Sequence, residues 1–183
     1  MPETEILKIQ IGSDTDLVGG MWKMPGRNGN YHGLLKQWLN HFGLEDKGLI
    51  IGERGTGGEA VKKVIKEEYG VEGYSVDLGK SDIVWDITTP LETEEKYGWI
   101  LCQAVLEHVT DPVAAVKNMS TLLRKGGRLY IHVPGPNFPY HAYPIDCYRF
   151  FRDAFVAWAE LANLEIEDLL YTPMHSFVAY RRR

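Results

Sequence analysis

The stretch that decides the fold runs from residue 49 to residue 60 and reads LIIGERGTGGEA. The apolar run from Leu49 to Gly52 predicts a short buried strand, and helical spacing predicts a helix from Glu59 to Tyr69. The glycines between them let the backbone turn sharply and approach a ligand closely. The start of a helix adds unpaired N–H groups and the positive end of a dipole. This order predicts a nucleotide-type binding loop.

An acid further along the chain supports this interpretation. Asp77 ends the next predicted strand, Gly73 to Asp77, about 20 residues after the loop, where a ribose-binding acid is expected. The alternative is a tight turn followed by a surface aspartate.

Outward from this stretch, predicted strands and helices alternate. Further strands are predicted at Ile83–Ile87, Trp99–Ala104, Leu129–Val133, Leu164–Tyr171 and Ser176–Tyr180. Helices are predicted at Tyr31–Phe42, from Asp111-Pro112 to a stop at Gly126-Gly127, and at Asp153–Ala162. This order implies an α/β fold with a mainly parallel sheet, whose ligands bind at the carboxyl ends of the strands.

The composition is typical of a single globular chain. Of the 183 residues, 44% are hydrophobic and 25% are charged, and the net charge of −5 argues against a general nucleic-acid binder. The two cysteines, Cys102 and Cys147, exclude a disulfide scaffold. The N-terminus lacks a signal-peptide pattern, and the apolar runs are too short to span a bilayer. We expect a cytoplasmic protein without nucleic-acid or membrane partners.

Two cofactors compete for the glycine loop. The spacing of Gly55, Gly57 and Ala60 fits a dinucleotide pattern, which would indicate an NAD-linked oxidoreductase. Glu53 before the glycines fits instead the loop of enzymes that use S-adenosylmethionine (SAM). Because Glu53 and Glu59 would repel a pyrophosphate, the residues favour SAM.

Later segments carry a resemblance to a known family. They are residues 84–88 (VWDIT), residues 101–109 (LCQAVLEHV), Asp111-Pro112, and residues 123–129 (LRKGGRL). With the two final strands, they resemble the class I SAM-dependent methyltransferases, in particular the small type 11 branch, over about residues 48–180. The resemblance implies a Rossmann-like fold with a C-terminal antiparallel hairpin, and SAM as the cofactor.

The resemblance also implies roles for individual residues. Asp77, followed by Leu78, stands where the family's acid binds both ribose hydroxyls. Asp86 stands where an acid receives the adenine amino group, and Ile87 would pack on the ring. The remaining predicted cofactor residues are Glu53, Gly55, Thr56 and Gly57 around the methionine part, and Cys102, Gln103 and Ala104 near the sulfonium.

The chain departs from the family pattern in three ways. Glu59 replaces a usual third glycine, and Gly98 replaces an aspartate that often begins the fourth strand. The link between the second and third strands is so short that one helix of the usual fold should be missing. A non-catalytic binding subunit with a minimal fold is therefore a third hypothesis.

A segment rich in proline and aromatic residues follows Pro134. It is predicted to form a wall of the pocket for the acceptor, the molecule that receives the methyl group. Residues 141–150 resemble the stretch H-x-x-P-x-D-x-x-R-F of type 11 methyltransferases, many of which modify natural products or glycans. The predicted substrate-binding residues are Tyr140, Tyr143, Tyr148 and Arg149. In the alternative interpretation, Asp146 and Arg149 form a structural ion pair. The predicted reaction is in-line O-methylation of a small-molecule, natural-product or sugar-like acceptor.

An oxygen acceptor must lose a proton, so a base with a pKa near neutrality is expected. His141, in the acceptor segment, is the first candidate, and His108 is the second. Asp146 would orient a histidine or bind the acceptor. Because His141 and Asp146 are only two ligands without a site-specific spacing, no metal is predicted.

The predicted organisation is one globular unit with two parts. Residues 1–47 would form an N-terminal arm with the first helix, and residues 48–183 would form the SAM-binding domain. Gly19 to Asn30, rich in glycine, is a candidate lid, although a packed arm fits equally well. The oligomeric state stays open, and a second subunit covering the aromatic segment would make a homodimer.

Overall fold

The computed structural model of the chain describes residues 38–52, 56–142 and 144–183, with the backbone alone at 56–58. The candidate lid, Gly19 to Asn30, lies outside these residues, as do Glu53, Gly55 and Tyr143. The first predicted helix is described only over residues 38–42, which are helical.

Strands and helices alternate through the rest of the described chain. They are β1 (Gly48–Ile51), α1 (Thr56–Tyr69), β2 (Gly73–Asp77), β3 (Ile83–Val84), β4 (Tyr97–Gln103), a 3-10 turn (Leu106–His108), α2 (Pro112–Leu122), β5 (Leu123–Pro134), α3 (Arg152–Leu161), β6 (Leu164–Tyr171) and β7 (His175–Arg182).

Over the described ranges, the strands form one 7-stranded sheet with the order β3-β2-β1-β4-β5-β7-β6. The first five strands of the chain run parallel, and β7 lies antiparallel between β5 and β6. The chain leaves β1 in one direction to form β2 and β3 and then returns to form β4 beside β1. The predicted α/β fold with a C-terminal antiparallel hairpin is confirmed, and its topological switch point lies between β1 and β4.

Both faces of the sheet are covered by helices. Because strand side chains alternate between faces, Leu49 and Ile51 pack with α2 and α3 on one face, whereas Ile50 packs with α1 on the other. Trp38 and Leu39 are buried in the same layer as α1. Residues 38–44 are therefore packed on the sheet beside α1.

Several predicted boundaries are wrong, among them the ends of the third strand and of the helix before β5. The strand predicted to reach Ile87 ends at Val84, because the Asp86 carboxylate accepts the N–H of Thr88 and starts a turn. Helix α2 ends at Leu122, well before Gly126-Gly127. Strand β5 begins at once, and its pairing with β4 is irregular around these glycines.

The link between β2 and β3 consists of residues 78–82, so the helix that the family usually has there is absent, as predicted. Asp82 holds this link against β2 and α1. Its Oδ2 accepts the N–H and the hydroxyl of Ser75, at 2.8 and 2.9 Å, and the Nζ of Lys62 at 2.8 Å. The hydrogen bond from Lys62 is the main reason that the pKa of Asp82 lies below its ordinary value.

Replacing Asp82 with asparagine should lower the free energy of unfolding by about 1 kcal/mol near neutral pH. Because the folded-state pKa is depressed, the carboxylate stabilises the protein above its unfolded pKa of about 3.9, and this contribution disappears as the pH falls through the lower folded value. Urea denaturation of wild type and Asp82→Asn should therefore converge at acid pH. Glu67→Gln, in an exposed pair with Lys63, is the control and should change little. A gap between wild type and Asp82→Asn that does not change with pH would contradict the assignment.

Gly98 at the start of β4 is explained by close packing. A Cβ at this position would lie 1.8 Å from the backbone oxygen of Glu45, and the N–H of Gly98 donates to the oxygen of Lys47 at 2.9 Å. The segment before β1 thus occupies the space that the family's aspartate side chain would need.

Substituting Gly98 with aspartate should destabilise the fold by about 1–3 kcal/mol, the usual cost of overpacking. Gly79→Ala is the matched control, because its Cβ would meet only Asp77 Oδ1 at 3.6 Å, an ordinary contact. Denaturation curves for both variants test this, and equal stability of Gly98→Asp and wild type would show that residues 45–47 move aside easily.

Candidate active site

A cleft of about 430 Å³ opens at the carboxyl ends of β1 to β4. Its walls come from the residues that follow each strand: Gly52 after β1, Leu78 after β2, residues 85–87 after β3, and parts of residues 104–109 after β4. The volume lies within the range of small-molecule sites, and the position is the switch point of the sheet.

The end of β1 approaches β4 closely because residue 52 is glycine. Its φ is +100°, and a Cβ here would lie 2.2 Å from the backbone oxygen of Gln103. Helix α1 begins at Thr56 and continues through Gly57, three residues earlier than the predicted start at Glu59. The first turn of α1 therefore begins only four residues after Gly52, which lines the cleft.

Two acids from adjacent strands line the same cleft. Asp77 Oδ1 accepts the N–H of Gly79 at 3.0 Å, and Asp86 Oδ1 accepts the N–H and hydroxyl of Thr88 at 2.9 and 2.7 Å. These turns hold both carboxylates at the cleft. Next to them, the Leu78 side chain is exposed and Ile87 is buried. Ile87 is fixed by Asn118 of α2, which donates to its backbone oxygen at 3.0 Å.

Of the three residues predicted at the end of β4, only Ala104 lines the cleft. Its φ of +50° is left-handed, a conformation that costs a residue with a side chain about 1–2 kcal/mol. Its N–H donates to the oxygen of His132 at 2.9 Å. Cys102 is fully buried in the core, and burial raises the pKa of its thiol. Gln103 is also buried, so neither side chain forms the cleft wall.

The predicted acceptor segment docks against the turn that follows β4. The N–H of Cys147 donates to the oxygen of Glu107 at 2.7 Å, and the Tyr148 hydroxyl donates to the oxygen of Thr110 at 2.9 Å. Pro144 of this segment lines the cleft. The segment therefore forms one edge of this cleft.

Arg149 fastens this segment internally. It donates to both carboxylate oxygens of Asp146, at 2.5 and 2.7 Å, and to the backbone oxygens of Phe138 and Pro139, at 3.0 and 2.8 Å. The guanidinium holds the pKa of Asp146 well below its usual range. This is the structural ion pair of the alternative interpretation. Among the predicted substrate-binding residues that the structure describes, Tyr140 is the most exposed, at 76%.

The two predicted bases lie together, with an acid that sequence reasoning missed. The rings of His108 and His141 are 4.9 Å apart between centroids, and each Nε2 lies 3.6 Å from Oε1 of Glu107. Glu107 is fully buried. Burial raises its pKa to about 7 against the lowering effect of its own backbone amide, and the charge of Asp146 adds to the rise. The available signal was its place beside His108 in a short turn after an apolar strand.

Comparison with known proteins agrees with this architecture. The sequence pattern of the methyltransferase domain family matches residues 28–169. The fold and the cleft define a class I SAM-dependent methyltransferase. The chain belongs to the methyltransferase domain family, and SAM is its cofactor. These findings set aside the NAD-linked oxidoreductase and the non-catalytic subunit.

One curated relative is similar in sequence, and two solved structures share the fold. A ubiquinone biosynthesis O-methyltransferase of Coxiella burnetii is 23% identical, covering 92% of this chain and 87% of that protein. A SAM-dependent methyltransferase from Clostridium acetobutylicum superposes with a TM-score of 0.61 at 12% identity, over 81% of this chain and 89% of that one. The N-methyltransferase NodS from Bradyrhizobium japonicum, bound to S-adenosylhomocysteine, superposes with a TM-score of 0.60 at 16% identity, over 92% and 95%.

The cleft has the chemistry that SAM needs. Its lining offers two carboxylates, Asp77 and Asp86, which are hydrogen-bond acceptors of the kind that a ribose diol and an exocyclic amine require, and the apolar side chains of Ile87 and Val105. Within the described part of the chain, no helix is long and apolar enough to cross a bilayer.

Replacing Asp77 with asparagine should weaken S-adenosylhomocysteine binding roughly 10- to 100-fold, because a charged acceptor is lost from the cleft. Calorimetric titration measures this. Asp111→Asn is the control: Asp111 caps α2 through the N–H of Ala114, asparagine caps equally well, and the residue is not on the cleft wall. Equal affinity of Asp77→Asn and wild type would remove Asp77 from the cofactor site.

Proposed function

We propose that the protein is a SAM-dependent O-methyltransferase of a small hydroxylated molecule. The observation that carries the proposal is that His108 belongs both to the cofactor cleft and to the cluster with Glu107 and His141. Groups that assist the loss of a hydroxyl proton thus lie beside the cofactor. The O-methyltransferase relative from Coxiella burnetii supports oxygen as the acceptor atom.

The cofactor roles follow from the positions of the cleft residues. Asp77 accepts hydrogen bonds from the ribose hydroxyls, with Leu78 beside it, and Asp86 accepts one from the adenine amino group. Ile87 packs on the adenine ring. The methionine part is assigned to residues 53–57, on the loop pattern of the sequence, and to the turn at Ala104.

The acceptor is proposed to lie between this cleft and residues 135–151. When bound, SAM supplies an electrophilic methyl group on a positively charged sulfur. The chain's own residues align the acceptor oxygen and exclude water from it. The exposed ring of Tyr140 and that of Tyr148, stacked on Phe150, favour a small molecule with a flat or sugar-like face.

The cluster assists ionisation of the acceptor. Nδ1 of His108 donates to the oxygen of Ile145 at 2.5 Å, which leaves a lone pair on Nε2. His141 and Asp146 complete the cluster from the acceptor segment. Residues 48–183 form the catalytic unit in this proposal, with residues 1–47 as an N-terminal arm.

An acceptor screen tests the reaction. Purified protein with SAM should methylate phenolic or sugar-like hydroxyls, detected as S-adenosylhomocysteine and as one added methyl group by mass spectrometry. The matching methyl ethers should be inert. Transfer to amines but not to hydroxyls would overturn the assignment to oxygen.

The His108→Asn variant tests the cluster. Turnover should fall at least about 100-fold, as for loss of proton-transfer assistance, while S-adenosylhomocysteine affinity changes little. His41→Gln, an exposed histidine before β1, should retain wild-type turnover. Equal turnover of His108→Asn and wild type would exclude a role for the cluster.

A further inference from the structure

We propose that Glu107, His108 and His141 form a binding site for a divalent transition-metal cation beside the SAM cleft. The inference rests on the proposed function, because the cation would bind the hydroxyl oxygen of the methyl acceptor. The sequence predicted no metal, since His141 and Asp146 are only two ligands. The fold adds Glu107 and His108 to the same place.

The spacing of the three side chains suits a single ion. One ligand atom from each residue lies within 4.8 Å of the others, and Glu107 Oε1 is 3.6 Å from the Nε2 of each histidine. Nitrogen and oxygen ligands sit about 2.0–2.2 Å from zinc, so two ligands of one tetrahedral ion are separated by about 3.4 Å. The two distances from Glu107 already match this separation closely, whereas the cluster as a whole, which spans up to 4.8 Å, must contract around the ion.

Both histidines are held by their other ring nitrogen. Nδ1 of His108 bonds to the oxygen of Ile145, and Nδ1 of His141 lies 3.2 Å from Asp146 Oδ2. Arg149 Nη2 is also near this Nδ1, but its two hydrogens are used by Pro139 and Asp146. The carbonyl acceptor places the proton of His108 on Nδ1 and leaves a lone pair on its Nε2. The carboxylate of Asp146 supports the same tautomer in His141. A carbonyl or carboxylate behind each imidazole is the usual support of metal-binding histidines.

Burial of the Glu107 carboxylate is a second, independent observation that points to a cation. The side chain is fully buried, and neither carboxylate oxygen has a hydrogen bond to another residue within the described ranges. A buried carboxylate whose neighbours are its own amide and two imidazoles at 3.6 Å is strongly disfavoured as an anion unless more positive charge is added. A divalent cation between the carboxylate and the two imidazoles removes this penalty.

The ligand set favours one class of cation. Two imidazoles and one carboxylate suit zinc, cobalt, manganese or iron, whereas magnesium and calcium prefer oxygen ligands. Three protein ligands leave a coordination position open, as in catalytic sites. His108 lies on the cleft wall, and the side chain of His141 is 35% exposed, so an acceptor hydroxyl can reach that position.

The chemistry balances without another reactant. The acceptor hydroxyl binds the cation through oxygen and releases its proton to solvent, because the positive charge lowers its pKa. The oxygen then forms a bond to the methyl carbon, the carbon–sulfur bond breaks, and its electron pair stays on sulfur. With the cation bound, His108 and His141 assist ionisation as its ligands instead of as proton acceptors, and Asp146 positions His141.

Metal titration of the full chain tests the site without any activity assay. Protein stripped with a chelator is titrated with Co²⁺, followed by visible absorption, and with Zn²⁺, followed by calorimetry. Wild type should bind one equivalent. Glu107→Gln and His141→Gln should each weaken metal binding by more than the roughly 10- to 100-fold that removal of a residue behind a metal ligand costs. His41→Gln should bind as wild type does.

Two variants keep the test decisive, because His141 lies in a partly exposed segment and its substitution is tolerated even where Glu107→Gln fails to fold. Equal Co²⁺ affinity of wild type and His141→Gln would overturn the site. S-adenosylhomocysteine titration of the same preparations separates the two proposals. Cofactor binding with methyl transfer at an undiminished rate in excess chelator would overturn the metal site alone. One equivalent of Co²⁺ bound through these ligands, without methylation of any hydroxyl, would support the metal site while the proposed function fails.

Discussion

The parallel ladder between β1 and β4 is the contact on which the rest of the structure depends. It pairs Ile51 with Cys102, so both strands end at the same edge of the sheet. Gly52 allows the ends of β1 and β4 to lie almost against each other. The left-handed turn at Ala104 then directs the chain towards the cleft. The cofactor cleft and the histidine cluster both begin at this point.

Most of the fold could be predicted because its strands are apolar runs bounded by glycine, proline or acids. The bounds of β2 and β6 are as predicted. The third strand was predicted at the right place but three residues too long, because Trp85 and Ile87 are buried in the core like strand residues although the strand ends at Val84. The start of β5 at Leu123 depends on a partner strand distant in sequence, and local glycine signals do not show it.

Some residues of the site could likewise be predicted from the sequence, and others could not. Asp77, Asp86 and His108 could be placed because each follows a strand, and strand ends meet at one edge of a parallel sheet. Cys102 was misplaced because side chains alternate within β4 and its own faces the core. Glu107 was missed because an acid is expected on the surface. Its contact with His141 depends on docking of the acceptor segment, which leaves no trace in local sequence.

The fastening of the acceptor segment by Arg149 has an evolutionary consequence. Residues 138–149 are closed on themselves by bonds from one guanidinium to Phe138, Pro139 and Asp146. The carboxylates that line the cleft lie on other strands. If both ends of this clasp, His141 and Pro144 are kept, the other residues between them can diversify to accommodate new acceptors, while the part of the enzyme that binds the cofactor is inherited unchanged.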